Sequence, residues 1–182
     1  IQLVDNLWPI RILQHANETR HAIGTAKIAQ LSLKNCETYL YQQIDPGSAF
    51  EQWLKKENPV LIYPGEHAEG LDVLNDHGPR TLLLLDASWR KSRRMLHESP
   101  QLEQLQRVCI QPSKPSSYKI RKVPDPTSLS TLEAIVEILS ELEKNQSKYQ
   151  PLLNTMDWMI NKQIENIDPE LFEKNYMKME KK

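Results

Sequence analysis

Two periods alternate along this chain. Short apolar runs without internal alternation recur, and between them apolar residues return every three or four positions. Thr81 to Leu85 is apolar or β-branched throughout, the pattern of a strand buried on both faces inside a parallel sheet. Similar runs predict strands at Trp8 to Gln14, Glu37 to Gln43, Val60 to Tyr63 and Arg107 to Gln111. Gly24-Thr25 starts a helix on which Ile23, Ile28 and Leu31 share a face. After the turn residues Pro46-Gly47-Ser48, Phe50, Trp53 and Leu54 define a short amphipathic helix. Glu69 to Gly78 is polar and reads as a surface helix or loop. Trp89 to His97 is helical until Ser99-Pro100 ends it. Ser130-Thr131-Leu132-Glu133 has the spacing of a capping box, and Leu132, Ile135, Val136, Leu139 and Leu142 follow on one face. Pro151 is placed to start a last helix carrying Leu152, Leu153, Met156, Met159 and Ile160. The alternation predicts an α/β fold: a mainly parallel sheet flanked by helices, with further helices at the C-terminus.

Chemistry gathers where the most apolar run stops. In open α/β sheets, ligands bind beyond the carboxyl ends of the strands. Here that end carries Asp86, Ser88 and Trp89, followed by Arg90, Lys91, Arg93 and Arg94. An acid, a hydroxyl, an indole and a basic helix start suit an anionic, aromatic substrate. The same residues also fit a plain helix start, with Asp86 as the cap, Trp89 in the core and the cations in water. The segment from Pro112 to Pro124 is cationic and punctuated by prolines, so it is not helical throughout. It reads as a binding loop or a solvated linker. Glu18, Arg20 and His21 form either a polar cluster for a ligand or a solvated loop. Ser130 and Glu133 explain themselves as a cap, although a helix start is also an anion site.

Composition narrows the partners. The chain has 182 residues, enough for one domain with a core of its own. Its formal net charge is −1, yet Arg80 to Lys122 holds ten Lys and Arg against three acids, a local +7. Such concentration is what a polyanion-binding face needs. Cys36 and Cys109 lack CxxC spacing, which indicates neither a zinc knuckle nor a disulfide framework and favours a reducing, cytoplasmic location. No run approaches the roughly 18 apolar residues of a membrane span, and no signal peptide is visible. Residue 1 is Ile rather than Met, so further sequence is expected upstream.

Five blocks, in order, resemble the DTW-domain family, the tRNA-uridine aminocarboxypropyltransferases. Gln14-His15-Ala16-Asn17-Glu18 is similar to the family's His-Pro-x-Glu block, with Ala for Pro. Leu61-Ile62-Tyr63-Pro64 resembles its Leu-Leu-Tyr-Pro, and Asp86-Ala87-Ser88-Trp89 its Asp-x-Thr-Trp signature, with Ser for Thr. Ser117-Tyr118-Lys119-Ile120-Arg121-Lys122 is similar to Ser-x-Tyr-x-x-Arg-Lys. Leu129-Ser130-Thr131-Leu132-Glu133-Ala134 matches the family block without change. The family's N-terminal cysteine cluster, a zinc site, has no counterpart here, so zinc is expected only through a missing N-terminal segment.

The resemblance implies a SPOUT-like, knotted fold over residues 1–167, with 168–182 as a charged tail. It implies transfer of the 3-amino-3-carboxypropyl group of S-adenosylmethionine to N3 of a tRNA uridine, releasing 5′-methylthioadenosine. Asp86 is the expected catalytic base. Tyr63, Leu85, Ser88, Trp89, Leu129, Ser130, Thr131 and Glu133 are expected to bind the cofactor. His21, Arg90, Arg93, Arg94, Ser117, Arg121 and Lys122 are expected to hold RNA. Two rival readings remain open: a SPOUT-type RNA methyltransferase and a catalytically inactive RNA-binding module. A hydrolase built on His15 or His21 with Asp86 lacks a nucleophile signature.

Overall fold

Which face each strand residue takes decides the layers. The computed structural model describes residues 1–16, 18, 24–41, 45–76, 78–112, 116 and 128–166. The five runs form one sheet: β1 (Ile10–Gln14), β2 (Cys36–Leu40), β3 (Val60–Ile62), β4 (Leu82–Asp86) and β5 (Arg107–Val108). Its order is β2-β1-β4-β3-β5, and every pairing is parallel. Ile10, Ile12, Val60, Ile62, Leu82 and Leu84 point to one face and pack against α1 (Thr25–Ser32), α5 (Thr131–Leu142) and α6 (Gln146–Glu165). Leu13, Leu61 and Leu83 point to the other face. There they meet α2 (Ala49–Glu57), α3 (Trp89–Glu98) and the single turn α4 (Pro100–Glu103). The continuous apolar run of β4 is thus explained by a helical layer on each side. Truncating a fully buried leucine such as Leu83 to Ala would cost about 2–5 kcal/mol.

Connections from β1 and β4 leave in opposite directions. The chain crosses from β1 through α1 to β2, and from β4 through α3 and α4 to β5. The gap between the ends of β1 and β4 is therefore the point where the topology switches, the preferred place for a ligand in an open α/β sheet.

Some local expectations change. Ser88, not Asp86, caps α3. Leu31 is 46 % exposed, and the buried face of α1 is made by Ala26, Ile28 and Ala29; Ile23 lies outside the described residues. The polar stretch after Glu69 contains a 3₁₀ turn at Leu71–Leu74 whose two leucines are buried. Pro151 does not start α6. The helix begins at Gln146, capped by the Asn145 side chain, and Pro151 lies inside it. Asn58 adopts the left-handed conformation (φ 43) at the end of α2 and turns the chain into β3. Of the segment from Pro112 to Pro124 only Pro112 and Ser116 are among the described residues, and the tail from 168 lies outside them.

Candidate active site

Three distant segments converge on one carboxylate. In the register of the sheet Gln14 stands opposite Asp86. The Gln14 side-chain amide donates to Asp86 Oδ2 (2.7 Å), and the Thr131 hydroxyl donates to Asp86 Oδ1 (2.6 Å). The His15 backbone N–H donates to the Asp86 carbonyl (3.1 Å). Each carboxylate oxygen thus has one partner and keeps a second lone-pair direction.

A cleft of about 420 Å³ opens beside this carboxylate, at the carboxyl ends of β3 and β4. Ile62, Leu84, Leu85, Ile110 and Ala134 give it an apolar lining, and Ser128, Ser130 and Thr131 bring polar groups. Asp86 is not in the wall itself; Leu85, Ala87 and Thr131 around it are. Tyr63 and Trp89 form the aromatic side, with ring centroids 5.8 Å apart in an edge-to-face arrangement. The Tyr63 hydroxyl shares a hydrogen bond with Ser92 (2.9 Å), and the Arg107 guanidinium lies over its ring at 5.9 Å. Gly65 makes room for that guanidinium, because a Cβ there would stand 2.8 Å from Arg107 Nη1. Trp89 is neither core nor fully exposed. Its indole N–H donates to the Ser128 hydroxyl (3.2 Å), tying α3 to the segment that leads into α5.

The start of α5 is closed on itself. The Ser130 hydroxyl accepts from the Glu133 N–H, and Glu133 Oε2 accepts from the Ser130 N–H (2.8 Å). The Ser130 hydroxyl also donates to Met156 Sδ (3.8 Å), and Ser116 donates to the Glu133 carboxylate (2.8 and 3.0 Å).

The expected cofactor residues therefore divide. Tyr63, Leu85, Trp89, Leu129, Ser130 and Thr131 line the cleft. Ser88 caps α3 between two lining residues, and Glu133 serves the capping box. Of the expected RNA residues, Arg90, Arg93 and Arg94 are exposed on α3. His21, Ser117, Arg121 and Lys122 lie outside the described residues. Gln14 was missed by sequence reasoning: only the pairing of β1 with β4 reveals its partner. Cys109, Ile110 and Pro112 were missed as cleft residues, since a run that reads as strand gives no sign of which residues leave the ladder. Cys36 is no part of the site; burial pushes its thiol up to about 12. Among the described residues no three metal-ligating side chains converge, and no helix is long and apolar enough to cross a membrane.

A parallel α/β sheet with a hydroxyl-rimmed cleft at its strand ends is a ligand-binding fold. The chain belongs to the DTW-domain family, whose model, described as DTW domain, matches residues 1–164. It is similar to a tRNA-uridine aminocarboxypropyltransferase 2 of Drosophila melanogaster, 30 % identical over 168 residues, covering 86 % of this chain and 65 % of that protein. The like-named protein of Macaca fascicularis is 26 % identical over 164 residues, covering 85 % of this chain and 54 % of its own length. That of Mus musculus is 29 % identical over 110 residues, covering 59 % and 37 %. The chain thus spans between 37 % and 65 % of the length of these relatives. No solved structure matches it.

Proposed function

We propose that the cleft binds S-adenosylmethionine and that the protein transfers its 3-amino-3-carboxypropyl group to N3 of a tRNA uridine. The observation that carries this reading is the 2.6 Å hydrogen bond from Thr131, in the cleft wall, to Asp86, which holds a carboxylate at the border of the cleft. The names of the curated relatives support the same chemistry. The sheet order and the cleft at the strand ends support the SPOUT-like architecture that the resemblance implies.

The lining suits such a donor. Tyr63 and Trp89 offer ring faces and edges to the adenine, and Ile62, Leu84 and Ile110 offer apolar surface. Thr131 gives its proton to Asp86, so toward the cleft it presents lone pairs, which suit an ammonium. The donor carboxylate is matched instead by the start of α3, where the Ser88 side chain makes no cap bond and the first turn holds no acid. S-adenosylmethionine supplies an electrophilic carbon bonded to its sulfonium. Asp86 takes the proton from uridine N3, and the freed electron pair forms the N3–C bond. The C–S bond breaks with its electrons on sulfur, and 5′-methylthioadenosine leaves. Which carbon is transferred depends on which one the walls align with N3. Arg90, Arg93 and Arg94, with His21, Ser117, Arg121 and Lys122, are assigned to the RNA.

Nucleoside mass spectrometry after incubation with tRNA and S-adenosylmethionine tests the reading. The expected product carries the mass of the aminocarboxypropyl group; a methyl adduct would select the methyltransferase instead. Asp86→Asn keeps the shape and removes the charge. It is expected to abolish transfer while S-adenosylmethionine affinity stays within about tenfold, roughly 1.4 kcal/mol. Full activity in that variant removes Asp86 from the chemistry.

A further inference from the structure

A second hollow, of about 240 Å³, opens on the other side of α3, lined by His15, Tyr41, Lys91, Arg94, Met95 and Glu98 among others. The helix is the partition between the two spaces: Trp89 and Ser92 face the first, Lys91, Arg94, Met95 and Glu98 the second. Asp86 joins them. Its Oδ1 is bound by Thr131 in the wall of the first cleft, and its Oδ2 by Gln14, the neighbour of His15 in the second.

We propose that this hollow seats an unpaired nucleobase of the RNA substrate, next in the strand to the acceptor uridine; this rests on the transfer reading given above. The rings of His15 and Tyr41 lie within 12° of parallel with centroids 6.4 Å apart, so the hollow offers flat aromatic surface. The Tyr41 hydroxyl donates to Glu98 (3.2 Å) and accepts from Ser99 (3.3 Å), which fixes the ring in place. Aromatic side chains of this kind stack splayed bases of single-stranded RNA.

The charges point the same way. Lys91 pairs with Glu18 (2.9 Å) and Arg94 with Glu98 (2.7 Å), so both cations of the hollow's lining already have a carboxylate beside them. A balanced set of donors and acceptors matches the edge of a neutral heterocycle better than a phosphate. The exposed Arg90 and Arg93 are left for the backbone. The two spaces then divide the substrates, with donor and acceptor on one side of α3 and the flanking base on the other.

Steady-state kinetics and a binding titration test this. Tyr41→Ala is expected to raise KM for tRNA about tenfold, equivalent to roughly 1.4 kcal/mol, with S-adenosylmethionine affinity near that of the wild type. Tyr41→Phe keeps the ring and is expected to recover most of the loss. An unchanged KM for tRNA in Tyr41→Ala overturns the proposal and leaves aminocarboxypropyl transfer standing. Absence of transfer by the wild-type protein overturns the reading of the first cleft instead. A second measurement needs no substitution: the dinucleotide UpU, titrated into ¹⁵N-labelled wild-type protein, is expected to shift the amide signals of His15, Ala16 and Tyr41. S-adenosylmethionine is expected to shift those of Cys109, Ser130 and Thr131. If UpU moves none of the first set, the hollow is not a base site, whether or not Tyr41→Ala folds.

Discussion

The starts of α3 and α5 border the same cleft and carry the same residue in nearly the same conformation. Ser88 has φ −64 and ψ 154; Ser130 has φ −69 and ψ 161. What separates them is the residue three positions on. Glu133 reaches back to the Ser130 N–H and frees the Ser130 hydroxyl to take the Glu133 N–H, so the box closes. Lys91 has nothing to accept with, and its ammonium goes to Glu18 instead. The start of α2 is capped in a related way, away from the site: Ser48 accepts from the Glu51 N–H, but Glu51 accepts from the Gly47 N–H (2.6 Å) rather than from that of its cap residue. A serine with an acid three residues on takes that residue's N–H into its own cap, as at α5 and α2. A serine followed by a base leaves the positive end of its helix open to a ligand.

That contrast can be broken most severely at Glu133. Glu133→Ala strips the acceptor from Ser130 N–H and from Ser116, both bonds to a buried carboxylate. The expected cost is about 2–3 kcal/mol, read as a fall in Tm of roughly 4–12 °C. Next comes Glu51, where Gly47, then Lys55 and Gln101, hold the carboxyl down to about 2 from its ordinary 4.5. Because the folded value lies below the unfolded one, the unfolded chain binds more protons between them. The stabilisation is therefore complete above about pH 4.5 and lost as the pH falls toward about 2. A Tm-against-pH series should show a flatter acid limb over that window in Glu51→Gln. The smallest effect sharpens the comparison itself. Ser130→Ala should cost about 1 kcal/mol, whereas Ser88→Ala, which removes no cap bond, should stay within roughly 0.5 kcal/mol. Equal melting shifts for the two alanine variants would end the distinction between a closed and an open start.

Much of this was legible in the residues. The run at Leu82 to Leu85, the alternation of strands and helices and the Ser-x-x-Glu spacing at Ser130 each rest on local pattern, and local pattern is what they depend on. The Gln14–Asp86 pairing is different in kind, because it needs the order of the strands, and nothing within either segment states that order. Leu31 was expected inside because period alone cannot distinguish the centre of an apolar stripe from its margin. Pro151 reads as a start, although the asparagine cap six residues before it already supplies one. The strand from Arg107 is shorter than its apolar run because its sheet neighbour β3 ends at Ile62; Val108 and Cys109 then meet Glu69 instead.

The sheet order also governs assembly. Among the described strands β4 is what links the β1–β2 pair to the β3–β5 pair, and its partner β1 lies about seventy residues earlier. While the polypeptide is emerging from a ribosome, β1 and β2 can meet early, but no continuous sheet exists until Leu82 to Asp86 has cleared the exit. Closing so long a loop is slow, which makes the half-synthesised chain, with the open edge of β1 exposed, the form most in need of a chaperone.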